Sequence, residues 1–443
     1  MNSEQAAQFH PSSFRDQPSL LSRQLGIFGT TMAVMGGIIG AGIFINPYIV
    51  AQRVHTPALI LGAWIAGGLI ALAGGFVYAE LAARSPVVGG QYAYLRDALH
   101  PAVAFVYGWV LLLVIQTGGM AAVAVTFSRY FIELTGWPIN DSLGAIAALA
   151  LLTVINCLGV RAGSRFQSAM TLIAIAAVAL LEVVSFTRGG GSRAIWQPVV
   201  DSSASWLVFG AAMTPVLFAY GGWQTSSFLG GEVRMPEKNL PRGLILGVLG
   251  VVAVYVSVNF VYLRSLGAVD LASTSTPASS VMRKLLGARG SQIIAAGIAF
   301  SAFGFLAQSM LTAPRVYFAM AQDGVFFKAV AQVHPRTRAP IVAIALQGVW
   351  ASVIALSGTY AEVVNYVVAM DCLFIGLTAV CLFVLRRKEG VTAFRVPGHP
   401  WTTLLFIAAE WAVVVATFTN DPLRSSIGLV IALAGLPIYF FWR

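Results

Sequence analysis

Two glycine-rich stretches interrupt apolar runs that are otherwise long enough to cross a bilayer. One is GGIIGAGIF, Gly36 to Phe44, and the other is FAYGGW, Phe218 to Trp223. A glycine inside a helix is less favourable than alanine by about 1 kcal/mol. In lipid, a broken helix also frees backbone N–H and C=O groups that cost several kcal/mol each when unpaired. Such breaks persist where the freed groups line a cavity or meet a partner. A pair of them in corresponding halves of a chain is the pattern by which membrane carriers build a substrate site near the midplane.

Composition agrees with a chain that lives in lipid. It is 58% hydrophobic and 10% charged, with a mean hydropathy of +0.80. Soluble domains carry about 25% charged residues. The reading is an all-α polytopic membrane protein. Twelve apolar segments have spanning length, near 26–52, 57–83, 101–132, 142–160, 165–187, 206–231, 240–266, 289–321, 340–357, 360–385, 402–419 and 423–441. Pro57, Pro101, Pro340 and Pro422 fall at or just before helix starts, where proline is tolerated. The first 25 residues are polar, so no cleavable signal is expected and they read as an N-terminal tail.

Twelve spans place both termini on one side. With the termini inside, 17 of the 27 Lys and Arg fall in inner loops and 9 outside, while Arg315 lies within a span. That bias predicts cytoplasmic termini. The net charge of +10 is then a topology signal, and no nucleic-acid partner is expected. The five histidines lie in loops far apart, and Cys157, Cys372 and Cys381 fall in or at the ends of apolar segments. Neither set suggests a metal site, and no cofactor is expected. No nucleophile–base set marks an enzyme.

The breaks fall in spans 1 and 6, five helices apart. That spacing predicts two inverted five-helix repeats forming a core over residues 26–385, about 26–187 and 206–385, with two additional helices over 402–443. In span 1 the second half-helix starts near the break, so its N–H groups and positive dipole end attract an anion. Gly40 and Gly42 let that anion approach the backbone. Span 6 has the opposite polarity, and its first half ends on carbonyls suited to an ammonium group. Gly36 and Gly40 also fit the small-xxx-small spacing of close helix packing.

Six segments carry a resemblance. They are GIIGAGIF (Gly37–Phe44), YAELAARSPVVGGQYAYL (Tyr78–Leu95), NCLGVRAGSRFQ (Asn156–Gln167), LFAYGGWQ (Leu217–Gln224), GEVRMPEKNLPR (Gly231–Arg242) and PRVYFAMAQDGVFF (Pro314–Phe327). By these the chain resembles the amino acid–polyamine–organocation (APC) superfamily transporters, and within them the L-amino-acid transporter (LAT) branch. The resemblance implies a LeuT-type fold and amino acid transport by alternating access. It implies that Gly40, Ala41 and Gly42 hold the substrate α-carboxylate, that Phe218, Ala219 and Gly221 turn carbonyls to the α-amino group, and that Phe218 is the gate. Relatives often have Ser where Ala41 stands and Asn where Gln224 stands. Gln224 is a side-chain pocket candidate. Tyr262, in an N-x-x-Y pattern with Asn259, is a candidate for a hydrogen bond to the broken helix or the substrate.

Three positions bear on coupling. Asp371 sits mid-span, where a charge costs at least about 2.5–3.5 kcal/mol; it is read either as a proton-coupling carboxylate or as a structural acid. Many relatives carry Lys where Ala174 stands, and Thr312 is what remains of the relatives' sodium site. Exchange or proton-linked uptake is therefore expected over sodium symport. Arg315 and Glu80 lie at the inner side and are read either as a pair in an inner gate or as static helix-end contacts. Eukaryotic members of the branch join a heavy-chain glycoprotein through a cysteine between spans 3 and 4. That loop has none here, so no disulfide-linked heavy-chain subunit is expected. The expectation is an inner (plasma) membrane carrier of neutral L-amino acids. Cationic amino acid or polyamine transport is one alternative, and a non-transporting amino acid sensor another.

Overall fold

The computed structural model describes residues 21–40, 42–188, 206–357, 360–388, 390, 392–420 and 422–442. Among them every regular element is helical, and the only extended pairing is two isolated bridges, Leu25 with Val233 and Val88 with Leu229. Helix α1 (Ile27–Ile38) and α2 (Gly42–Val54) are bent by 43°. Then come α3 (Pro57–Arg84), the short α4 (Gln91–Ala98), α5 (Pro101–Val110) and α6 (Gln116–Thr135), the last two joined by a π-helical turn, Leu111–Ile115. Helices α7 (Asp141–Cys157) and α8 (Val160–Arg188) complete the first half.

The second half opens with α9 (Trp206–Tyr220), followed by 3₁₀ turns at Trp223–Phe228 and Gly230–Glu232. Helices α10 (Pro236–Ser273), α11 (Pro277–Thr312), α12 (Pro314–Gln322), α13 (Ile341–Ser357) and α14 (Tyr360–Lys388) follow, then α15 (Trp401–Asn420) and α16 (Pro422–Trp442). Helix starts follow local chemistry. Thr56 accepts from the Leu59 N–H ahead of Pro57, and the His100 ring accepts from Ala102 ahead of Pro101. Asn140 caps α7 through the Leu143 N–H. Each side-chain oxygen or nitrogen satisfies a donor that the helix itself leaves open.

Among the described residues eight helical stretches are long and apolar enough to span a membrane, or nine when α1 and α2 count as one. The 17-residue α7 and α13 are shorter apolar helices. The core gathers where α1 packs on α8 and α10, and where α11 packs on α8 and α6. Glycine sets these distances. A β-carbon on Gly36 would collide with the Gln167 amide and sit 2.6 Å from the Thr171 hydroxyl. One on Gly247 would sit 2.5 Å from Val34.

Candidate functional site

The chain leaves regular helix at both sequence-predicted breaks, and the two breaks touch. Gly222 has a left-handed φ of 103°, and a β-carbon there would run into the Gly37 carbonyl. Conversely, a β-carbon on Gly37 would sit 2.7 Å from the Gly222 carbonyl. Backbone meets backbone, so neither position takes a side chain. The neighbouring groups are held by long-range bonds. The Tyr255 hydroxyl donates to the Ile38 carbonyl at 2.9 Å, and the Ser301 hydroxyl lies 3.4 Å from the carbonyls of Ile39 and Gly40. These bonds satisfy carbonyls at the C-terminal end of α1.

Helices α2 and α9 are tied to each other. Pro215 lacks an N–H and so leaves the Ala211 carbonyl without its helical donor. The Arg53 guanidinium fills that place. One residue before Pro47, the Asn46 amide donates to the Pro215 carbonyl at 2.8 Å. The half-helix that presents N–H groups and the half-helix that presents carbonyls therefore form one braced unit. Its aromatic support is Tyr220, whose hydroxyl donates to the Trp64 carbonyl at 3.1 Å, and Trp223, packed edge-on against Tyr78 at 4.9 Å.

A cavity of about 200 Å³ opens at this junction. Gly40 and Gly42 border it from the α1–α2 break, and Leu217 to Thr225 from the α9 break. Its far wall comes from α6, α11, α14 and α15, through Gln116, Phe305, Asp371 and Glu410 among others. Gly40 and Gly42 have room: a β-carbon would lie 3.5 Å from Phe305 at the first and 3.4 Å from Ala219 at the second. Open space beside the first-turn N–H groups of α2 suits an anion. Phe218 borders the cavity and is 46% exposed. Its carbonyl accepts the Gly221 N–H at 3.2 Å.

Most of the sequence-predicted site residues meet here. Gly40, Gly42, Phe218, Ala219, Gly221, Gln224 and Asp371 all border the one cavity. Ala41 lies outside the described residues. Gln224 bridges two parts of the site: its oxygen accepts the Gly222 N–H at 2.9 Å, and its amide faces the Asp371 carboxylate at 3.3 and 3.4 Å. Tyr262 is fully buried but does not border the cavity, and among the described residues its hydroxyl has no hydrogen-bond partner. The tyrosine that bonds the broken helix is Tyr255, two turns earlier. Thr312 and Ala174 are buried off the cavity, and the Thr312 hydroxyl donates to the Gln308 carbonyl of its own helix at 3.0 Å. Gln308 in turn reaches the Thr225 hydroxyl at 2.7 Å, joining α11 to the 3₁₀ turn.

The basic-loop end of the bundle is cross-linked by polar contacts. Gln24 and Leu25 donate to the Glu232 carbonyl, and Arg234 returns a bond to Leu25. Arg315 pairs with Glu232 at 2.9 Å, both fully buried. Of the two readings of Arg315 and Glu80, the mutual pair is not formed. Glu80 instead takes Arg84 at 2.8 Å, Arg386 at 2.6 Å and the Val396 N–H at 2.7 Å, which joins α3 to α14 and to the segment before α15. Beside them Arg96 meets Asp323 at 2.6 Å, and Tyr92 donates to the same carboxylate. Burial works against the Arg96 charge, but the Asp323 and Asp97 carboxylates raise its pKa above the ordinary value. Sequence periodicity hides the π turn at Leu111–Ile115, since LLLVI is apolar throughout and shows no phase shift where the extra residue enters. The turn ends at Gln116, which borders the cavity. Glu410 borders it as well, though its helix lies outside the predicted core.

The arrangement can take up a small zwitterion, with its anionic end at α2 and its cationic end at α9. Residues 25–441 match the model of a family described as amino acid permease. A serine/threonine exchanger of Bacillus subtilis (strain 168) is 33% identical over 427 residues, 95% of this chain and 97% of that one. The human large neutral amino acids transporter small subunit 2 is 30% identical over 443 residues, 96% of this chain and 81% of that one. The mouse Asc-type amino acid transporter 1 is 28% identical over 446 residues, covering 96% and 82%.

Proposed function

The chain belongs to the amino acid permease family, a family of membrane carriers and not of enzymes, and on that premise we propose that it exchanges neutral L-amino acids by alternating access. The observation that carries this reading is the contact of the two breaks at Gly37 and Gly222, which brings an N–H-rich helix start and a carbonyl-rich helix end to one cavity. In the proposed complex Gly40, Ala41 and Gly42 hold the α-carboxylate. Phe218, Ala219 and Gly221 receive the α-amino group, and Phe218 closes over the substrate. The side chain extends toward Gln116 and Phe305. Among the described residues no Lys, Arg or His borders the cavity, which supports neutral over acidic side chains. Exchange is supported by the similarity to a serine/threonine exchanger.

The reading extends to topology. The short α7, α9 and α13 bring the nine stretches to twelve spans, arranged as a LeuT-type pair of inverted repeats over 26–187 and 206–385 with α15 and α16 outside. The seal of Glu232, Arg315, Glu80 and Arg386 lies at the arginine-rich end, which supports cytoplasmic termini in a plasma or bacterial inner membrane. The loop between α6 and α7 has no cysteine, which supports a carrier without a disulfide-linked heavy chain. The test is radiolabelled serine uptake into proteoliposomes. Uptake into vesicles preloaded with unlabelled serine, threonine or alanine, well above that into empty vesicles without an ion gradient, is expected. Equal uptake in both would overturn exchange, and none in either would overturn the substrate class.

A further inference from the structure

Asp371 is not the only acid at the cavity. Glu410 of α15 borders it too, is 7% exposed, and makes no hydrogen bond or ion pair with another helix among the described residues apart from the Cys372 thiol within reach of its carboxyl. The two carboxyl groups therefore border one cavity between apolar helices. The groups that face them are few. Tyr78 approaches from α3 and Tyr107 from α5, Cys372 shares α14 with Asp371, Tyr220 borders the cavity from α9, and among the described residues no lysine, arginine or histidine joins them. The Tyr78 hydroxyl is itself buried, beside the Thr378 hydroxyl. Two like charges in such a space repel each other, and each lone charge in a membrane is expensive. The unmet need at this place is a positive charge.

We infer that Asp371 and Glu410 hold one exchangeable proton between them, so that the cavity carries a proton site beside the amino acid site. Gln224 fixes the assignment within the pair. Its amide donates toward Asp371, which favours the ionised form there and leaves the proton to Glu410. The same Gln224 accepts the Gly222 N–H. A substrate ammonium arriving at the α9 break therefore acts on the group that orients Asp371. No bond other than the O–H of the carboxyl forms or breaks: the proton arrives from the solvent that fills the open cavity and leaves to the solvent on the other side when the seal opens. The role in transport rests on the exchange reading above; proton binding itself does not.

Infrared difference spectroscopy on the purified full chain in lipid, titrated from acidic to alkaline pH, reads the proton directly. A carboxylic acid C=O band that titrates in the wild type and is lost in Glu410→Gln is expected, and in Asp371→Asn the band should shift its midpoint, since the second carboxylate is gone. A wild type with no titrating band, or a band unchanged in both variants, overturns the proposal. Serine exchange into preloaded vesicles, measured across the same pH range, reads the consequence: its rate should follow the titration of the band in the wild type and lose that pH dependence in Glu410→Gln. Inhibition by lysine or ornithine in the wild type but not in Glu410→Gln would make the pair a subsite for a substrate amine and would overturn the proposal. A titrating band in a protein that carries no serine at all would leave the proton site standing and sink the exchange reading instead.

Discussion

Replacing Tyr255 by phenylalanine removes one oxygen atom and keeps the ring. In the structure that oxygen donates at 2.9 Å to the Ile38 carbonyl, the last helical residue before the break, on a fully buried side chain. Interhelical hydrogen bonds in membranes average about 0.6 kcal/mol and reach about 1.7. Loss of this one should therefore loosen the α1 end by about three- to eighteen-fold in population. Because Gly40 and Gly42 lie two and four residues beyond Ile38, the apparent affinity for serine should fall by a similar factor. The packing of α10 should change little, since the ring still stacks with Tyr220 at 5.0 Å. Tyr262→Phe is the control. Its hydroxyl has no partner among the described residues, so affinity should stay within twofold. Binding measured by scintillation proximity on purified protein decides the matter. Weaker binding in Tyr262→Phe with none in Tyr255→Phe would refute the assignment of the break to Tyr255.

Other substitutions probe separate features. Gly222→Ala places a β-carbon against the Gly37 carbonyl on a residue at φ 103°; strain of about 1–3 kcal/mol from the backbone alone plus the clash should lower the melting temperature and abolish serine binding, as read by thermal-shift fluorescence. Gly36→Ala meets only the ends of Gln167 and Thr171. It should displace the 2.8 Å bond from Gln167 to the Met32 carbonyl and destabilise by about 1–3 kcal/mol, seen as a lower melting temperature with folded protein retained. Glu80→Gln leaves the Arg84 and Arg386 guanidinium groups without their carboxylate. Breaking one side of a buried pair costs about 3–5 kcal/mol, so the melting temperature should fall and cysteine-reactive probes placed at the basic-loop end should label faster.

Local chemistry made the breaks legible. Glycine weakens a helix wherever it stands, so Gly37, Gly40 and Gly222 announce their roles without any partner in view, and the prolines at 57, 101 and 422 do the same for helix starts. Partners distant in sequence were harder. Gln224 and Asp371 are separated by 147 positions, and nothing in either segment names the other. Arg315 and Glu80 looked complementary because both read as inner-side charges, yet Glu232 lies in a 3₁₀ turn that holds it directly against Arg315. Tyr262 and Tyr255 differ by seven residues, close to two helical turns, so they share a face. Periodicity cannot decide which one reaches the break. Glu410 reads from its own segment only as an acid near a helix end or a protein contact, and nothing there names the cavity it borders.

The central claim is that backbone groups at the two breaks read both α-substituents of the substrate. Competition against radiolabelled serine by serine analogues tests it most directly. Serinamide and ethanolamine lack the carboxylate, and N-acetylserine lacks the free ammonium. If α2 holds the carboxylate and α9 the ammonium, none of the three competes at concentrations where unlabelled serine displaces fully. Displacement by serinamide or ethanolamine equal to that by serine would contradict the role of Gly40 and Gly42, and displacement by N-acetylserine would contradict the role of the α9 carbonyls.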